Sequence, residues 1–293
     1  MLDGFDVKMA AYSVEDLIAI FRDNDSLSTD GYMNFCRSVE GVQYIKRDFL
    51  YRSGTWRNAK VKSYFRDQEK STEVLVLGHS DYPTRVHDLL LIRAFGVHSV
   101  LAINCTPIQG LSQCLPLGLT NYCNDSVVHP ILGLTSPFIE ILKNRTTPTK
   151  FQNSVLMAFI TQSADKYRAP VYAQFVNCPD VTTFAAESLT NERRLVYLQS
   201  INEHDFVLCP RGNGRDTHRL WETLYLGSIP IVKNGELPEQ LLSDFPVWIV
   251  NEWSEALNPD LRASAREKIL ARDWDVTRLR QSFWNSVISS HLD

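Results

Sequence analysis

The sequence has no run of about 18 apolar residues, which is the length that a membrane-spanning helix needs. Its amino terminus, MLDGFDVKMAAYSVEDLIAIF, carries acidic residues where a signal peptide has a basic start and an apolar run. The six cysteines are scattered and form no CxxC pair, which disfavours a zinc site and a disulfide framework. We therefore expect a cytoplasmic protein without a membrane span, whose cysteines are buried and reduced.

Several motifs that would assign a function directly are also missing. The chain has no GxxxxGK[ST] phosphate loop, no GxGxxG dinucleotide fingerprint and no GxSxG hydrolase turn. Because 30 basic residues stand against 34 acidic ones, the formal net charge is −4, and a broad nucleic-acid surface is not expected. Any positively charged site must therefore be local.

The chain does have enough apolar sequence, 44% of its residues, to bury a substantial core. A strand–helix–strand unit in the first half is typical of a parallel sheet. The spacing of apolar residues in this half predicts a helix over 14–22, a buried strand and loop over 71–84, a helix that ends at Gly96, a strand over 97–104, long loops over 105–137 and a helix over 136–144.

A second set of alternating elements follows the polar segment KNRTTPTK (143–150), which is the predicted linker. The predicted elements are strands over 154–161 and 170–176, a helix over 191–201, a strand over 205–210, a helix over 217–227, strands over 228–233 and 246–251, and a helical tail over 259–290.

The two sets predict an α/β protein of two doubly wound, Rossmann-like domains that face a cleft, with the domains over 1–150 and 151–293. Ligands of such sheets bind at the carboxyl ends of the strands. GHSDYPT in the first half and CPRGNG in the second both follow predicted strands. These two loops are therefore the candidate site.

The stretch CPRGNGRDTHRLWETLYLGSIPIV (209–232) places two glycines and three arginines at the start of a predicted helix. Gly212 and Gly214 permit backbone angles that are closed to other residues, and they let main-chain N–H groups approach a ligand. A helix capped by Asp216 or Thr217 can hold an anion through its N–H groups and its dipole. The sequence therefore predicts an anion site at this turn.

Charged side chains around this turn suggest which anion binds. Arg211 and Arg219 can make bidentate contacts with phosphate, so a diphosphate is the expected ligand. Glu222 lies one helical turn after His218 and Arg219, where its carboxylate can accept hydrogen bonds from two ribose hydroxyls. The alternative is an incidental cluster of charge, in which Arg215, His218, Arg219 and Glu222 form a solvated salt-bridge stripe.

The segment FVLCPRGNGRDTHRLWETLYLGSIPIV resembles the signature of exostosin-type glycosyltransferases of glycosyltransferase family 47, and is similar to small soluble bacterial and algal-virus members. The likeness is carried by the PRG turn, the D-x-H-R pair, the W-E on the helix and the G-x-I-P-I-V strand. It is dense over 204–235 and thin elsewhere. The resemblance implies a GT-B architecture, a nucleotide-sugar donor held by the second domain, and inversion at the anomeric carbon.

From this resemblance we expect an inverting glycosyltransferase without a cofactor. The helix start and the arginines can neutralise a leaving diphosphate, and no credible D-x-D site is present, so we expect the enzyme to be metal-independent. It would move a hexose or a pentose, with xylose among the candidates, from a nucleoside-diphosphate sugar to a hydroxyl of a glycan, and UDP is the expected nucleotide with a guanosine diphosphate left open. The residues predicted to bind the donor are Arg168, Arg211, Gly212, Gly214, Thr217, His218, Arg219 and Glu222. One alternative is a non-catalytic protein of the same fold that binds sugar nucleotides or glycans. A third and weaker alternative, an NAD-dependent sugar-nucleotide oxidoreductase, is disfavoured by the missing GxGxxG.

An inverting transfer needs a base that takes the proton of the acceptor hydroxyl. With the donor on the second domain, the base is expected on the first, at the carboxyl end of a strand. We predict Asp81 as this base, with His79 as the competitor because its unperturbed pKa suits a base. Asp81 could instead only cap the helix that follows. A metal site built on these two residues lacks a third ligand at suitable spacing.

Three further charged segments contain candidate residues. Arg168 follows the first strand of the second domain, so we predict that it reaches a donor phosphate, although it could be an ordinary surface arginine. Arg193 and Arg194 are expected on the surface of a helix. The D-x-D pattern of Asp273 and Asp275 follows a helical segment, and is therefore predicted to be a turn between helices, not a metal–nucleotide site.

Overall fold

In the part of the chain that the structure describes, the fold is mixed α/β with two parallel sheets. The computed structural model describes residues 10–46, 72–81, 86–94, 96–121, 132–146, 149–161, 164–184 and 190–292. Within these ranges, no helix is long and apolar enough to span a membrane.

The first sheet has four strands in the order β1-β2-β3-β4, all parallel. Every residue of β2 is buried, as expected for a short apolar run in a parallel sheet. The strands are β1 (Val42–Lys46), β2 (Val74–Gly78), β3 (Ser99–Ala102) and β4 (Ser112–Cys114). The helices of this half are α1 (Val14–Arg22), α2 (Thr29–Ser38), α3 (Val86–Arg93) and α4 (Ser136–Lys143).

The structure confirms the helices and strands predicted in this half and adds three elements. The added elements are α2, β1 and β4, and β4 lies inside the range 105–137, for which the sequence predicts loops. Part of that range, 122–131, lies outside the described residues.

The second sheet has five parallel strands in the order β6-β5-β7-β8-β9. The strand order reverses between β5 and β7, and open α/β sheets bind ligands at such a switch point. The strands are β5 (Phe151–Met157), β6 (Val181–Thr183), β7 (His204–Leu208), β8 (Ile229–Lys233) and β9 (Trp248–Val250).

Alternate residues of β5 belong to two different core clusters, and each cluster also contains helix residues. Helices therefore pack on both faces of this sheet. The helices are α5 (Asp165–Phe175), α6 (Asn191–Glu203), α7 (His218–Tyr225), α8 (Glu239–Leu242), α9 (Pro259–Leu270) and α10 (Gln281–Ser289), with 3-10 turns at Trp253–Leu257 and Val276–Leu279. The helical tail predicted over 259–290 is confirmed.

The predicted strand over 170–176 is wrong, because these residues belong to α5 apart from the last, Val176, which caps it. Pro170 and the apolar residues around it favoured a strand. Val171 and Phe175 are instead buried four residues apart, on one helical face that packs in the smaller core cluster. The strand that pairs with β5 at this edge is the later β6.

The larger core cluster contains residues of both sheets, among them Leu77 of β2 and Leu156 of β5. Arg145, in the predicted linker, donates to the main-chain oxygens of Asn202, Leu226 and Gly227 at the ends of α6 and α7. The linker is therefore anchored to the second half. The division into domains at residue 150 stays a prediction.

Candidate functional site

The glycine–arginine turn leads from β7 into α7, as the sequence predicts. Thr217 is the N-cap residue, with extended backbone angles, but its side chain makes no capping hydrogen bond. Its Oγ1 is buried and has no partner among the described residues. The start of α7 therefore offers N–H groups that this side chain does not satisfy.

Two arginines meet at the switch point between β5 and β7. The Nε of Arg219 donates to the carbonyl oxygen of Ala158, directly after β5, across 2.8 Å. Arg168 donates from Nη1 to the carbonyl oxygen of Ile160 and from Nε to that of Arg211, across 3.1 and 3.3 Å. Both guanidinium groups therefore lie at the carboxyl ends of the two strands that flank the switch point.

The two cations are close enough to perturb each other. Burial lowers the pKa of Arg168 to about 10, and the charge of Arg219 adds to this effect. Arg168 is nevertheless protonated at pH 7. Among the described residues, no carboxylate lies within ion-pair distance of Arg219. Neighbouring cations of this kind repel each other, and an anion bound between them would relieve that repulsion.

Arg211 turns back onto its own loop. Its Nε and Nη2 donate to the carbonyl oxygens of Gly212 and Asn213, and its guanidinium lies 4.1 Å from the ring centroid of Tyr167. Its main-chain N–H donates to Glu236, whose pKa is raised to about 7 by burial. The predicted contact of Arg211 with phosphate is not tested by this geometry and stays a prediction.

The two glycines of the turn allow neighbouring side chains to approach the backbone closely, and they do not adopt an unusual backbone angle. Neither Gly212 nor Gly214 has a positive φ, so the angles expected from the sequence are not needed here. A Cβ at Gly212 would lie 3.0 Å from Nη2 of Arg168. A Cβ at Gly214 would lie 2.9 Å from Nδ2 of Asn104 and 3.2 Å from Oδ1 of Asp81. At Gly214 the turn therefore packs directly against loops of the first half, and at Gly212 it packs against Arg168 of α5.

Glu222 is buried beside Arg194, which the sequence predicts on the surface of a helix. Its Oε1 accepts from Nη2 of Arg194 across 2.6 Å, and its Oε2 accepts from the hydroxyl of Tyr197 across 2.7 Å. Burial alone would raise the pKa of Glu222, but the charge and hydrogen bond of Arg194 lower it below the ordinary value. Arg194 is only 4% exposed, so its expected position on the helix surface is wrong. The ribose contact of Glu222 stays a prediction.

Asp81 lies on the first half, in the loop after β2, and its side chain is exposed. Besides its proximity to Gly214, its negative charge raises the pKa of both Arg168 and His218, though by less than burial lowers them. The structure therefore brings Asp81 together with the arginine turn of the second half.

His79, the competing base, is enclosed by side chains. Its Nδ1 lies 2.6 Å from the hydroxyl of Tyr44, and its Nε2 lies 3.1–3.2 Å from polar atoms of Thr29, Asp30 and Asn121. Its side chain is 12% exposed. Both ring nitrogens thus have partners within the protein, and the choice of Asp81 or His79 as the base stays a prediction.

A hydrogen bond between Asp216 and Asn104 connects the two halves of the chain. The sequence did not predict this contact. The Asp216 carboxylate accepts from the main-chain N–H groups of Leu117 and Thr217 and from Nε1 of Trp221. Its own N–H donates to Oδ1 of Asn104, in the loop that follows β3. No signal in the sequence links these residues, because Leu117 and Asn104 lie 99 and 112 positions away from Asp216.

The D-x-D pattern forms a turn between helices, as predicted. The Asp275 side chain accepts from the main-chain N–H and the hydroxyl of Thr277, at the start of a 3-10 turn. Trp274 donates to the carbonyl oxygen of Ile269 in α9. Among the described residues, no group of three or more His, Cys, Asp or Glu side chains could hold a metal ion.

Comparison with known proteins bears on the second half of the chain. Residues 173–270 match the family model of the RXYLT1 C-terminal domain. The match covers about a third of the chain and includes α6, the arginine turn and Glu222, but not Arg168 or Asp81. It supports a glycosyltransferase-like domain in this half. The narrower likeness to family 47 stays a prediction.

Two further comparisons, with curated sequences and with solved structures, do not narrow the function. No curated protein sequence matches the chain significantly. The chain aligns with the crystal structure of an alpha1,3-fucosyltransferase at 11% sequence identity and a TM-score of 0.39. The alignment covers 97% of this chain and 95% of the fucosyltransferase chain. A TM-score this low does not establish a common fold.

Proposed function

We propose that this protein is an inverting, metal-independent glycosyltransferase with a GT-B arrangement of its two sheets. It transfers a sugar, with xylose as the first candidate, from a UDP-sugar donor to a hydroxyl of a glycan. The observation that supports the proposal is that two arginines and one aspartate lie around the same turn. Arg168 and Arg219 lie at the switch point of the second sheet, and Asp81 reaches the same turn from the first.

In the proposed complex, the diphosphate of the donor binds between the guanidinium groups of Arg168 and Arg219 and the first N–H groups of α7. Among the described residues, the positive charge of Arg219 has no carboxylate within ion-pair distance. Glu222 does not cancel it, because Arg194 is paired with Glu222 at 2.6 Å. A bound diphosphate would place negative charge beside Arg219.

In the proposed reaction, the acceptor oxygen attacks the anomeric carbon from the face opposite the diphosphate. Asp81 takes the proton of the acceptor hydroxyl as the new bond forms. The bond between the anomeric carbon and the phosphate oxygen breaks, and its electron pair leaves with the diphosphate. The growing negative charge on that leaving group is stabilised by Arg168, Arg219 and the positive end of α7.

Two arginines and a helix start can stabilise a leaving diphosphate without a divalent cation, which motivates the metal-independent part of the proposal. The test is turnover in the presence of EDTA. We expect the rate to be retained, whereas a complete loss that Mn²⁺ or Mg²⁺ restores would contradict metal independence.

The donor is tested first, by thermal shift against a panel of nucleotide sugars, because a bound ligand stabilises the folded state by mass action. Binding of UDP is then compared between the parent, Arg219→Ala and Arg272→Ala. Arg272 is an exposed arginine at the end of α9 and serves as the matched control. Loss of one charged contact should cost about 1.5–3 kcal/mol of binding, and equal affinities of all three proteins would contradict the proposed site.

The base is tested by Asp81→Asn, with Asp260→Asn as an exposed control on α9. Removing a general base should slow transfer by about 10²–10⁴-fold while UDP binding stays near that of the parent. If His79→Ala is slow and Asp81→Asn is not, the two roles are exchanged. If the parent binds UDP-sugars but neither transfers nor hydrolyses them, the chain is a sugar-nucleotide-binding protein instead.

A further inference from the structure

The orientation of one histidine is fixed by a contact between the two halves of the chain. His218 is the first residue of α7, and its Nδ1 lies 2.8 Å from the carbonyl oxygen of Gly118, which follows β4. A carbonyl oxygen accepts hydrogen bonds and cannot donate them. The proton of the imidazole therefore sits on Nδ1, and the ring has one defined tautomer.

The second ring nitrogen, Nε2, carries a lone pair. Burial lowers the pKa of His218, and the charge of Arg194 on α6 acts in the same direction. The hydrogen bond to Gly118 and the carboxylates of Glu222 and Asp81 oppose this effect without cancelling it. The ring is therefore neutral at pH 7. Among the described residues, no hydrogen-bond partner faces Nε2.

A nitrogen that only accepts discriminates between the groups of a nucleotide sugar. Phosphate oxygens at neutral pH are acceptors, so they cannot pair with a lone pair on Nε2. A hydroxyl group can donate to it. We propose that His218 recognises a hydroxyl group of the bound substrate through Nε2, and that the phosphates are left to Arg168 and Arg219. This inference rests on the proposed function, since the hydroxyl belongs either to the nucleotide-sugar donor or to its acceptor.

Two variants of His218 separate its two nitrogens. In His218→Asn, the side-chain amide can still donate to Gly118, but no atom occupies the position of Nε2. In His218→Gln, an amide group occupies the position of Nε2 and can present an oxygen acceptor. Binding of UDP, UDP-xylose and inorganic pyrophosphate is measured by calorimetry for the parent and both variants, together with the rate of sugar transfer.

We expect His218→Asn to lose about 3- to 10-fold in the step that uses the hydroxyl, as for one neutral hydrogen bond. His218→Gln should retain more, and pyrophosphate should bind all three proteins equally. A loss with UDP assigns the contact to a ribose hydroxyl. A loss with UDP-xylose alone assigns it to the transferred sugar, and a loss in transfer rate alone assigns it to the acceptor.

Two results would overturn the inference. The first is a parallel loss of pyrophosphate binding that grows as the pH falls from 8 to 5.5, because an imidazolium would then be donating to phosphate. The second is equal behaviour of the parent and both variants in every measurement. Equal pyrophosphate binding also shows that the variants are folded around an intact phosphate site.

Failure of this inference can be told apart from failure of the proposed function. If the parent binds neither UDP nor UDP-xylose, the proposed function fails and the inference fails with it. If the parent binds them and His218→Asn binds and transfers as well as the parent, only the role of His218 is wrong.

Discussion

The main-chain N–H of Asp216 donates to Oδ1 of Asn104 across 2.7 Å, and Nδ2 of the same asparagine donates to the carbonyl oxygen of Ser80 across 2.8 Å. One buried amide group thus connects the loops that follow β2, β3 and β7. Because Asp81 is the next residue after Ser80, this connection fixes the distance between the predicted base and the arginine turn.

The first prediction concerns this amide. Asn104 has a φ of +51°, a value that glycine adopts freely and alanine does not. Asn104→Gly should therefore lose only the two hydrogen bonds, at a cost of about 1–3 kcal/mol of unfolding free energy. Asn104→Ala should lose about 1 kcal/mol more through backbone strain. Urea denaturation of both variants measures the difference, and equal stability of the two would show that the strain is absent.

The second prediction concerns the pH dependence of stability. Burial raises the pKa of Asp216 from 3.8 to about 7, against three hydrogen bonds that lower it. The folded protein therefore holds this proton more tightly than the unfolded chain does. The contribution of Asp216 to stability is fully present below pH 4 and falls as the pH rises towards 7, by up to about 1.4 kcal/mol per pH unit.

Asp216→Asn removes the titration and is the comparison for this effect. The unfolding free energies of the parent and Asp216→Asn are measured by urea denaturation at each pH. From pH 4 to pH 7 the parent should lose stability relative to Asp216→Asn, and above pH 7 the difference between the two proteins should stay constant. Only this pH dependence is diagnostic, since the asparagine amide also faces the N–H of Leu117 and lowers stability at every pH. A difference that does not change with pH would mean that the folded carboxyl group has an ordinary pKa.

The sequence predicted the elements with strong apolar signals and missed those without them. The run from β7 through α7 to β8 was predicted because each element has its own clear pattern, with a glycine turn between the first two. The strands that were missed, β1, β4 and β6, all lie at the edges of their sheets. Two of them are only three residues long, SQC and VTT, and such short polar strands are defined by their partner, not by their own composition.

From the sequence, the arginine turn and the loop of Asp81 could be placed at the ends of strands, but the pairings of their side chains could not be predicted. Both loops follow predicted strands, whereas the strand order that creates the switch point is known only from the structure. The burial of Arg194 depends on how α6 packs against α7, since its partner Glu222 lies 28 positions away. A single sequence contains no signal for that packing.

The third prediction tests this buried pair. The side chains of Arg194 and Glu222 are only 3% and 5% exposed. Arg194→Met would leave a buried carboxylate without its cation, so the unfolding free energy should fall by about 3–5 kcal/mol. Tyr197→Phe removes one hydrogen bond to the same carboxylate and should cost about 1.5–3 kcal/mol.

A double variant provides the control for the third prediction. Arg194→Met combined with Glu222→Gln removes both charges, and should be more stable than Arg194→Met alone because no unpaired charge remains buried. If the double variant instead loses the sum of the two single effects, the two residues do not interact in the folded protein.

The last prediction uses the two glycines of the turn, which face different partners. A Cβ at position 214 would lie 2.9 Å from Nδ2 of Asn104, which is held by two buried hydrogen bonds and cannot move aside easily. Gly214→Ala should therefore cost about 1–3 kcal/mol of stability, as overpacking does. It should also displace Asp81, whose Oδ1 would lie 3.2 Å from the new methyl group. Transfer should then slow more than UDP binding weakens.

Gly212→Ala should show the opposite division of effects. Its Cβ would lie 3.0 Å from Nη2 of Arg168, the far end of a long side chain that can shift at little cost in stability. Because Arg168 is a predicted phosphate contact, UDP binding should weaken while the melting temperature changes little. Asn213→Ala, an exposed position between the two glycines, is the matched control and should resemble the parent in both measurements. If the two glycine variants instead lose binding and transfer in the same proportion, Arg168 and Asp81 do not have separate roles at this turn.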